Sequence, residues 1–229
     1  MNLLWGKPLV IVEGNIGSGK TTAGKKLAAI LNLRLLQEPV DHELLQLFYD
    51  DKDRWSFPFQ IAMLHRRWAM QMSAASETLV DGGYAGSMLD RCLLGDLVFA
   101  EALWRAGKMH KKEWEIYNAS LRSMALVLYP PTVLLYLNAR PETCLERIHK
   151  RNRPQEQGIT LEYLQTIHEG YQRLVNDADS GAYPWSHATR KLVVPWDPGT
   201  TTDAEWERTA AMLRETWEAT LGRTPVAAS

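Results

Sequence analysis

The sequence predicts an α/β fold, a five-stranded parallel sheet flanked by helices. Short apolar runs typical of strands alternate with longer segments of helical periodicity along most of the 229 residues. The clearest runs are continuous rather than alternating, as in strands buried on both faces. Hydrophobic residues make up 45% of the chain, enough for a sizeable core. We therefore predict a single domain over residues 1–229, with a frayed tail at about 224–229.

Five runs are predicted to be strands, and helical segments separate them. The first run, 9–12, is followed at once by glycines and then by Ala23, Leu27, Ile30 and Leu31, which share one helical face. The other predicted strands are 33–37, 87–89, 132–137 and 191–194, of which 87–89 has the weakest signal. The remaining predicted helices are 55–76, 96–106, 111–128, 141–151, 161–176 and 203–221.

The charge balance excludes several classes of partner. With 26 Lys and Arg against 27 Asp and Glu, the net charge is −1, which disfavours binding to nucleic acid or to an anionic membrane. The longest apolar stretch, 124–137, is 14 residues long and contains Pro130-Pro131, too short to cross a bilayer. No targeting segment is recognised, so we expect a cytoplasmic protein. The two cysteines, Cys92 and Cys144, are predicted to be free thiols.

A phosphate-binding motif lies between the first strand and the first helix. Residues 14–21 match G-x-x-x-x-G-K-[ST], the P-loop pattern, and the match extends to residue 22. Lys20 is expected to reach the β- and γ-phosphates, and the Thr21 hydroxyl to hold Mg²⁺. The predicted nucleotide-binding residues are Gly14, Asn15, Ile16, Gly17, Ser18, Gly19, Lys20, Thr21 and Thr22. GTPases, ATP-driven motors and small-molecule kinases all share this motif.

Charged residues follow two further strands at the edge where ligands bind in parallel sheets. Glu38 follows the second strand and could accept a proton from a hydroxyl nucleophile. Asp90 and Arg91 end the third strand, where the acid could contact a metal and Arg91 could supply a counter-charge. An ordinary surface Glu and a structural Asp-Arg pair remain the alternatives.

Three arginines cluster near the end of one predicted helix. Arg147 and Arg151 are four residues apart and share a face, and Arg153 follows just before Pro154. Such a cluster could clamp a transferring phosphoryl group, since its developing charge needs positive partners. A solvated charged face is the alternative, which the P-loop elsewhere in the chain makes less attractive.

Taken together, these motifs resemble those of the deoxyribonucleoside kinases. The resemblance is carried by residues 14–22, 38–40, 55–60, 90–91, 147–156 and 159–164, and it spans 9–170, about 70% of the chain. It implies a P-loop kinase fold with an Arg-rich lid at about 147–157. It also implies an ATP- and Mg²⁺-dependent enzyme that phosphorylates the 5′-hydroxyl of a deoxynucleoside, usually as a homodimer.

The resemblance also implies roles by position. The catalytic set is Glu38 as general base, Arg91 as the residue steadying it, Lys20 and Arg151. Asp90 would help Thr21 to hold Mg²⁺. The resemblance adds to the nucleotide-binding residues Arg147, Arg151 and Arg153, and also Asp197, which would lie beside the adenine. The substrate-binding set comprises Glu38, Arg91, Tyr49 and Glu156 for the 3′-hydroxyl, Gln60 for the base edge, Phe59 for stacking, Met63, Arg67 and Asp96. Two departures are Glu43, where animal members tend to have Trp, and Cys92, which replaces a Ser.

The preferred base is predicted from Arg67 and Asp96. Gln60, Met63, Leu64 and Arg67 share one helical face, and a buried Arg there requires an anionic partner, for which Asp96 is the candidate. An ionised Asp only accepts hydrogen bonds, so it suits cytosine N4 or adenine N6 and disfavours thymine. The alternative is that Arg67 is a surface charge and Asp96 a helix cap.

One further enzyme class shares several of these motifs. A nucleoside monophosphate kinase, such as a thymidylate kinase relative, also has a P-loop, an Asp-Arg pair and an Arg-rich lid. Tyr49, Gln60 and Glu156 favour a neutral sugar acceptor instead. A GTP-binding switch would need an Asn-Lys-x-Asp motif, which the sequence lacks.

Overall fold

The computed structural model describes residues 7–38, 41–80, 83–176, 189–197 and 202–222. Pro39 and Val40 of the matched motif, and the predicted tail 224–229, lie outside these ranges. Within them, no helix is long and apolar enough to cross a membrane.

The predicted parallel sheet is confirmed. Its strands are β1 (Leu9–Gly14), β2 (Leu33–Leu36), β3 (Gly86–Asp90), β4 (Val133–Asn138) and β5 (Arg190–Pro195). They are ordered β2-β3-β1-β4-β5 and every neighbouring pair is parallel. The P-loop strand β1 therefore lies at the centre of the sheet, between β3 and β4.

Eight helices surround the sheet in the described part of the chain. They are α1 (Lys20–Leu31), α2 (His42–Asp50), α3 (Lys52–Val80), α4 (Leu93–Arg105), α5 (Lys111–Leu126), α6 (Pro141–Arg151), α7 (Leu161–Asn176) and α8 (Asp203–Thr220), with a 3₁₀ turn at Pro154–Glu156. The predictions placed the starts of α3 and α4 three residues too late. Helix α2 was not predicted, although the Asp41 side chain caps it by accepting from Leu44 N at 2.9 Å.

The two faces of the sheet build two apolar layers. Val10 and Val12 of β1 point toward the layer that contains α1 and α8 residues, such as Leu27 and Trp206. Leu9 and Ile11 point toward the layer formed with α3, α4 and α7. Because both faces are covered, the strands contain continuous apolar runs, which is why the pattern predicted them.

The sequence predicts strand β3 only weakly, because the strand contains a glycine and polar residues and therefore few apolar side chains. A Cβ at Gly86 would lie 2.4 Å from the carbonyl oxygen of Pro8, so the neighbouring backbone allows no side chain there. Ser87 and Asp90 are buried as well. The close backbone at Gly86 and the two buried apolar side chains of Met88 and Leu89 therefore specify this strand together.

The carboxyl ends of the central strands meet at one edge of the sheet. Val12 of β1 is in register with Asp90 of β3, and Leu36 of β2 is in register with Leu89. This register brings the P-loop, the Asp90-Arg91 pair and Glu38 to the same edge.

Candidate active site

A cavity of about 390 Å³ opens at this edge of the sheet. Most of the residues that the sequence assigned to catalysis or binding line it: Ile16, Gly17, Lys20, Thr21, Glu38, Tyr49, Phe59, Gln60, Met63, Arg67, Asp90, Arg91, Arg151, Arg153 and Glu156. Asp96, Arg147 and Asp197 are not among its lining residues. Its size and mixed lining suit a small polar ligand.

The P-loop needs its glycines. Gly17 has a φ of 77°, and a Cβ there would lie 2.4 Å from the carbonyl oxygen of Cys144 on α6. Gly19, with a φ of 94°, directly precedes the first residue of α1. The backbone N–H groups of the loop and the positive end of α1 can therefore approach phosphate oxygens closely.

Lys20 is folded back onto its own loop. Its Nζ donates to the carbonyl oxygens of Gly14 at 3.0 Å and Asn15 at 2.6 Å. Burial, together with the nearby charge of Arg91, lowers the pKa of Lys20 from 10.5 to about 7. A negatively charged ligand would reverse this shift, since it supplies the counter-charge that the buried amine lacks.

Thr21, in the first turn of α1, contacts Asp90, the last residue of β3. The Thr21 hydroxyl donates to Asp90 Oδ2 at 2.9 Å. Magnesium prefers such oxygen ligands and is usually held by one or two protein groups together with substrate phosphates. In the described ranges no cluster of three or more His, Cys, Asp or Glu side chains could hold a metal alone. The pair therefore fits the Mg²⁺ role predicted for it.

Glu38 is held between two arginines. Arg67 Nε donates to Glu38 Oε1 at 2.6 Å, and Arg91 Nε lies 3.9 Å from Glu38 Oε2. Burial alone would raise the pKa of Glu38, but the charge and hydrogen bond of Arg67 and the charge of Arg91 hold it below its usual value. Glu38 is therefore a carboxylate in the cavity, the form that a general base requires.

Arg67 and Asp96 form the predicted ion pair. Arg67 NH1 donates to Asp96 Oδ1, and the Tyr117 hydroxyl donates to Asp96 Oδ2 at 2.5 Å. Arg67 is 5% exposed and Asp96 is fully buried, so neither is a surface charge, and the N-cap of α4 is Cys92. Burial raises the pKa of Asp96 to about 6, although Arg67 and Tyr117 oppose the shift. Asp96 lies behind Arg67, and its contact with a base stays a prediction.

Aromatic and amide side chains line the part of the cavity predicted to receive the base. Phe59 stacks on Phe48, with ring centroids 4.5 Å apart. Gln60 is 3% exposed, and its Oε1 has no hydrogen-bond partner among the residues that the structure describes. A buried amide oxygen without a partner is costly, so this atom is available to a ligand.

The lid arginines share one carboxylate. Glu156 Oε2 accepts from Arg151 Nε at 2.6 Å, and Glu156 Oε1 lies 3.6 Å from Arg153 NH1. Tyr49 lines the same part of the cavity, and burial, with Tyr163 and Glu156 nearby, raises the pKa of its hydroxyl. Tyr49 therefore stays protonated and able to donate a hydrogen bond.

Arg147 and Asp197 hold elements together outside the cavity. Arg147 NH1 donates to the carbonyl oxygen of Ser18 at 2.9 Å, tying α6 to the P-loop. Asp197 accepts from Arg140 N at 3.1 Å and from the Thr143 hydroxyl at 2.7 Å, joining the end of β5 to the start of α6. Contacts of these two residues with a nucleotide stay predictions.

The sequence reasoning missed two buried residues that contact Arg91. Glu13 ends the apolar run of β1 and is fully buried, as is Tyr171 on α7. Arg91 NH1 donates to Tyr171 OH at 2.7 Å and lies 3.3 Å from Glu13 Oε2. A lone carboxylate inside a buried strand pattern was the available signal, because it requires a nearby cation.

Several known proteins are similar to this chain in sequence. Residues 10–212 match the family model described as deoxynucleoside kinase. The chain is 31% identical over 169 residues to a deoxyadenosine kinase of Dictyostelium discoideum, covering 73% of this chain and 66% of that protein. It is 33% identical over 178 residues to human mitochondrial thymidine kinase 2, covering 71% and 62%. Each alignment thus spans slightly less than two thirds of the relative.

A solved structure shares the fold. The deoxyadenosine kinase from M. mycoides with dCMP and dCDP bound matches with a TM-score of 0.74 and 22% identity, over 90% of this chain and 99% of that one. The family match covers most of the chain and includes the P-loop, Glu38, Arg91 and the lid arginines. The chain belongs to the deoxynucleoside kinase family.

Proposed function

We propose that the protein transfers the γ-phosphoryl group of ATP to the 5′-hydroxyl of a deoxyribonucleoside. One observation carries the proposal: a P-loop and an ionised, half-buried Glu38 face the same cavity, whose lining also includes Gln60 and Tyr49. A phosphate cradle supplies the donor, a carboxylate serves the nucleophile, and neutral polar groups suit an uncharged acceptor.

Glu38 accepts the proton of the 5′-hydroxyl as the nucleophile attacks. Its lowered pKa keeps it ionised, and Arg67 fixes its Oε1 so that Oε2 faces Arg91 at 3.9 Å. Arg91 steadies the developing charge at the 5′-oxygen, where a preorganised cation stabilises the transition state most. Orientation of the two substrates supplies much of the remaining rate acceleration.

Positive groups surround the place of the transferred phosphoryl group. Lys20 leaves its carbonyl partners to contact phosphate oxygens, and Arg151 and Arg153 also line the cavity. Thr21 and Asp90 would hold Mg²⁺, which when bound neutralises charge on the phosphates. Glu156 and Tyr49 would receive the sugar 3′-hydroxyl.

We also propose that deoxycytidine and the purine deoxynucleosides are preferred over thymidine. The support is the buried Arg67–Asp96 pair beside Gln60, since its carboxylate accepts from an exocyclic amine and repels the 4-oxo group of thymine. The two relatives named above are a deoxyadenosine kinase and a thymidine kinase, at 31% and 33% identity, so overall identity does not favour either base.

The test is an ADP-release assay with ATP and Mg²⁺ against the four deoxynucleosides and the matching monophosphates. Turnover of deoxycytidine or a purine deoxynucleoside, with little turnover of thymidine, is expected. Turnover of monophosphates alone would refute the acceptor assignment of Tyr49, Gln60 and Glu156. Thymidine with a kcat/KM at or above that of deoxycytidine and deoxyadenosine would refute the base preference.

A homodimer accords with the apolar surface near the end of α5. Leu126 and Val127 are 86% and 61% exposed, Ile116 earlier on the same helix is 46% exposed, and exposed apolar side chains favour contact with another protein surface. Sedimentation equilibrium of the purified protein tests this, and a monomer at micromolar concentration would refute it.

A further inference from the structure

Arg91 is held by several buried groups. Its NH1 donates to the Tyr171 hydroxyl at 2.7 Å and lies 3.3 Å from Glu13 Oε2. Its guanidinium carbon lies 4.6 Å from the ring centroid of Phe99. Its backbone has a φ of 78°, a left-handed conformation that side chains rarely adopt without support from their surroundings.

Glu13 links the contacts around Arg91 to one another. Its Oε2 accepts from the Tyr171 hydroxyl at 2.7 Å, and its Oε1 accepts from Cys92 N at 2.8 Å. Glu13 therefore contacts both the side chain of Arg91 and the backbone of the next residue. A Cβ at Gly95 would lie 2.1 Å from Glu13 Oε1, so α4 leaves this space for the carboxylate.

Stability alone does not explain this cluster. A buried ion pair often gains no more than apolar side chains of the same size would, because both charges lose their hydration. Neither Glu13 nor Tyr171 lines the cavity, so neither is placed to touch a substrate. Arg91 does line it, and its Nε is directed toward Glu38.

We infer that Glu13 and Tyr171 are positioning residues that fix the orientation of Arg91 toward Glu38 and the 5′-oxygen. The inference rests on the proposed function, since it concerns the same transfer. A cation fixed before the reaction needs no reorganisation when charge develops, and this lowers the barrier. Releasing Arg91 should therefore reduce kcat and leave nucleoside binding nearly unchanged.

The test compares two buried tyrosines that stack on each other with ring centroids 5.2 Å apart. Tyr171→Phe removes the hydroxyl that contacts Arg91, whereas Tyr136→Phe removes one that bonds to neither Arg91 nor Glu13. Tyr171→Phe is expected to lower kcat about tenfold or more, with KM for the nucleoside changed less than about twofold. Tyr136→Phe is expected to keep the wild-type kcat.

The Arg91→Lys background separates positioning from general destabilisation. There, Tyr171→Phe is expected to cause little further loss of kcat, because the oriented guanidinium is already gone. Additive losses would overturn the inference. Glu13→Gln is the second variant. Its loss of kcat is expected to match that of Tyr171→Phe, since an amide at this position accepts a hydrogen bond from Arg91 less strongly than a carboxylate does.

A readout independent of activity is the ¹⁵N–¹H NMR signal of the Arg91 side-chain Nε. We expect it to exchange slowly with water in the wild type and in Tyr136→Phe, and to be broadened in Tyr171→Phe. An unchanged signal in Tyr171→Phe, or a broadened signal with unchanged kcat, would overturn the inference. A wild-type protein inactive on every nucleoside would instead refute the proposed function, while the NMR comparison would still decide whether Tyr171 holds Arg91.

Discussion

Arg67 Nε lies 2.6 Å from Glu38 Oε1, so the cation assigned to base recognition directly contacts the carboxylate assigned to catalysis. The same guanidinium donates to the buried Asp96, so the two acids share this cation, and Glu38 also faces Arg91. The residues proposed for base recognition and for nucleophile activation are therefore electrostatically coupled. A substitution of Asp96 is therefore expected to affect the role of Glu38, and a substitution of Glu38 to affect that of Asp96.

Replacement of Glu38 by Gln tests the general base. The amide keeps the shape and can still accept from Arg67, so the dissociation constant of the nucleoside should change less than about threefold. Loss of the proton acceptor should lower kcat by roughly 10²- to 10⁴-fold. Single-turnover kinetics and equilibrium binding measure the two effects separately. Turnover near the wild-type rate would remove Glu38 from this role.

The Arg67–Asp96 pair is expected to respond non-additively to substitution. Asp96→Ala leaves Arg67 with Glu38 as its remaining carboxylate and leaves the Tyr117 hydroxyl unpaired, so it should lower the free energy of unfolding by about 3 kcal/mol. Replacing Arg67 and Asp96 together by Leu should cost less, because neither member of the pair is left buried without the other, and Glu38 still has Arg91 Nε at 3.9 Å. Urea denaturation measures both values.

The same variants test the base preference. The Leu double variant no longer presents a carboxylate behind the base, so its kcat/KM for thymidine relative to deoxycytidine should rise at least about tenfold. Tyr117→Phe is the control, since it removes a hydrogen bond to Asp96 and keeps the charge pair. An unchanged ratio in the double variant would show that the pair does not select the base.

Lys20 is expected to take up a proton when ATP binds. With a pKa of about 7 in the empty site, the amine is mostly neutral at about pH 8, and phosphate oxygens should return its pKa toward 10.5. Calorimetry at about pH 8, in buffers of different ionisation enthalpy, should show uptake of roughly 0.9 proton per ATP, and much less at about pH 6. Lys20→Met should abolish the uptake, whereas equal uptake in this variant would assign the proton to another group.

Glu156 is expected to determine how much kcat/KM falls when the substrate lacks the sugar 3′-hydroxyl. For the wild type, a 2′,3′-dideoxynucleoside should have a kcat/KM at least about tenfold below that of the deoxynucleoside, since the substrate then loses its hydrogen bonds to the buried Glu156 and to Tyr49. Glu156→Gln should shrink this penalty and lower kcat, because Arg151 loses its charged partner. The matched control is Glu205→Gln, which removes a surface carboxylate 3.0 Å from Arg208. An unchanged penalty in Glu156→Gln would contradict the assignment.

Local patterns predicted most of the fold because each depends on neighbouring residues. The apolar run of β1, the glycines and the periodicity of α1 predict the P-loop from residues 9–31 alone. Helix α2 was missed because nine residues are too short a window for a clear helical period, and it is stabilised by packing on α3 and by the Asp41 cap. The early start of α4 depends on the buried Leu93 and Leu94, which follow β3 after Arg91 and Cys92.

The sequence by itself determined the P-loop pattern, the strand ends that carry Glu38 and Arg91, and the arginine cluster at 147–153, because motif spacing and periodicity are local properties. Only the tertiary structure decided most of the other charge contacts. It added Glu38 to the predicted Arg67–Asp96 pair, placed Asp96 outside the cavity lining, and brought Glu13 to Tyr171 over a separation of 158 residues. Those contacts depend on how strands and helices distant in the chain pack, and burial then sets the charge state of each group.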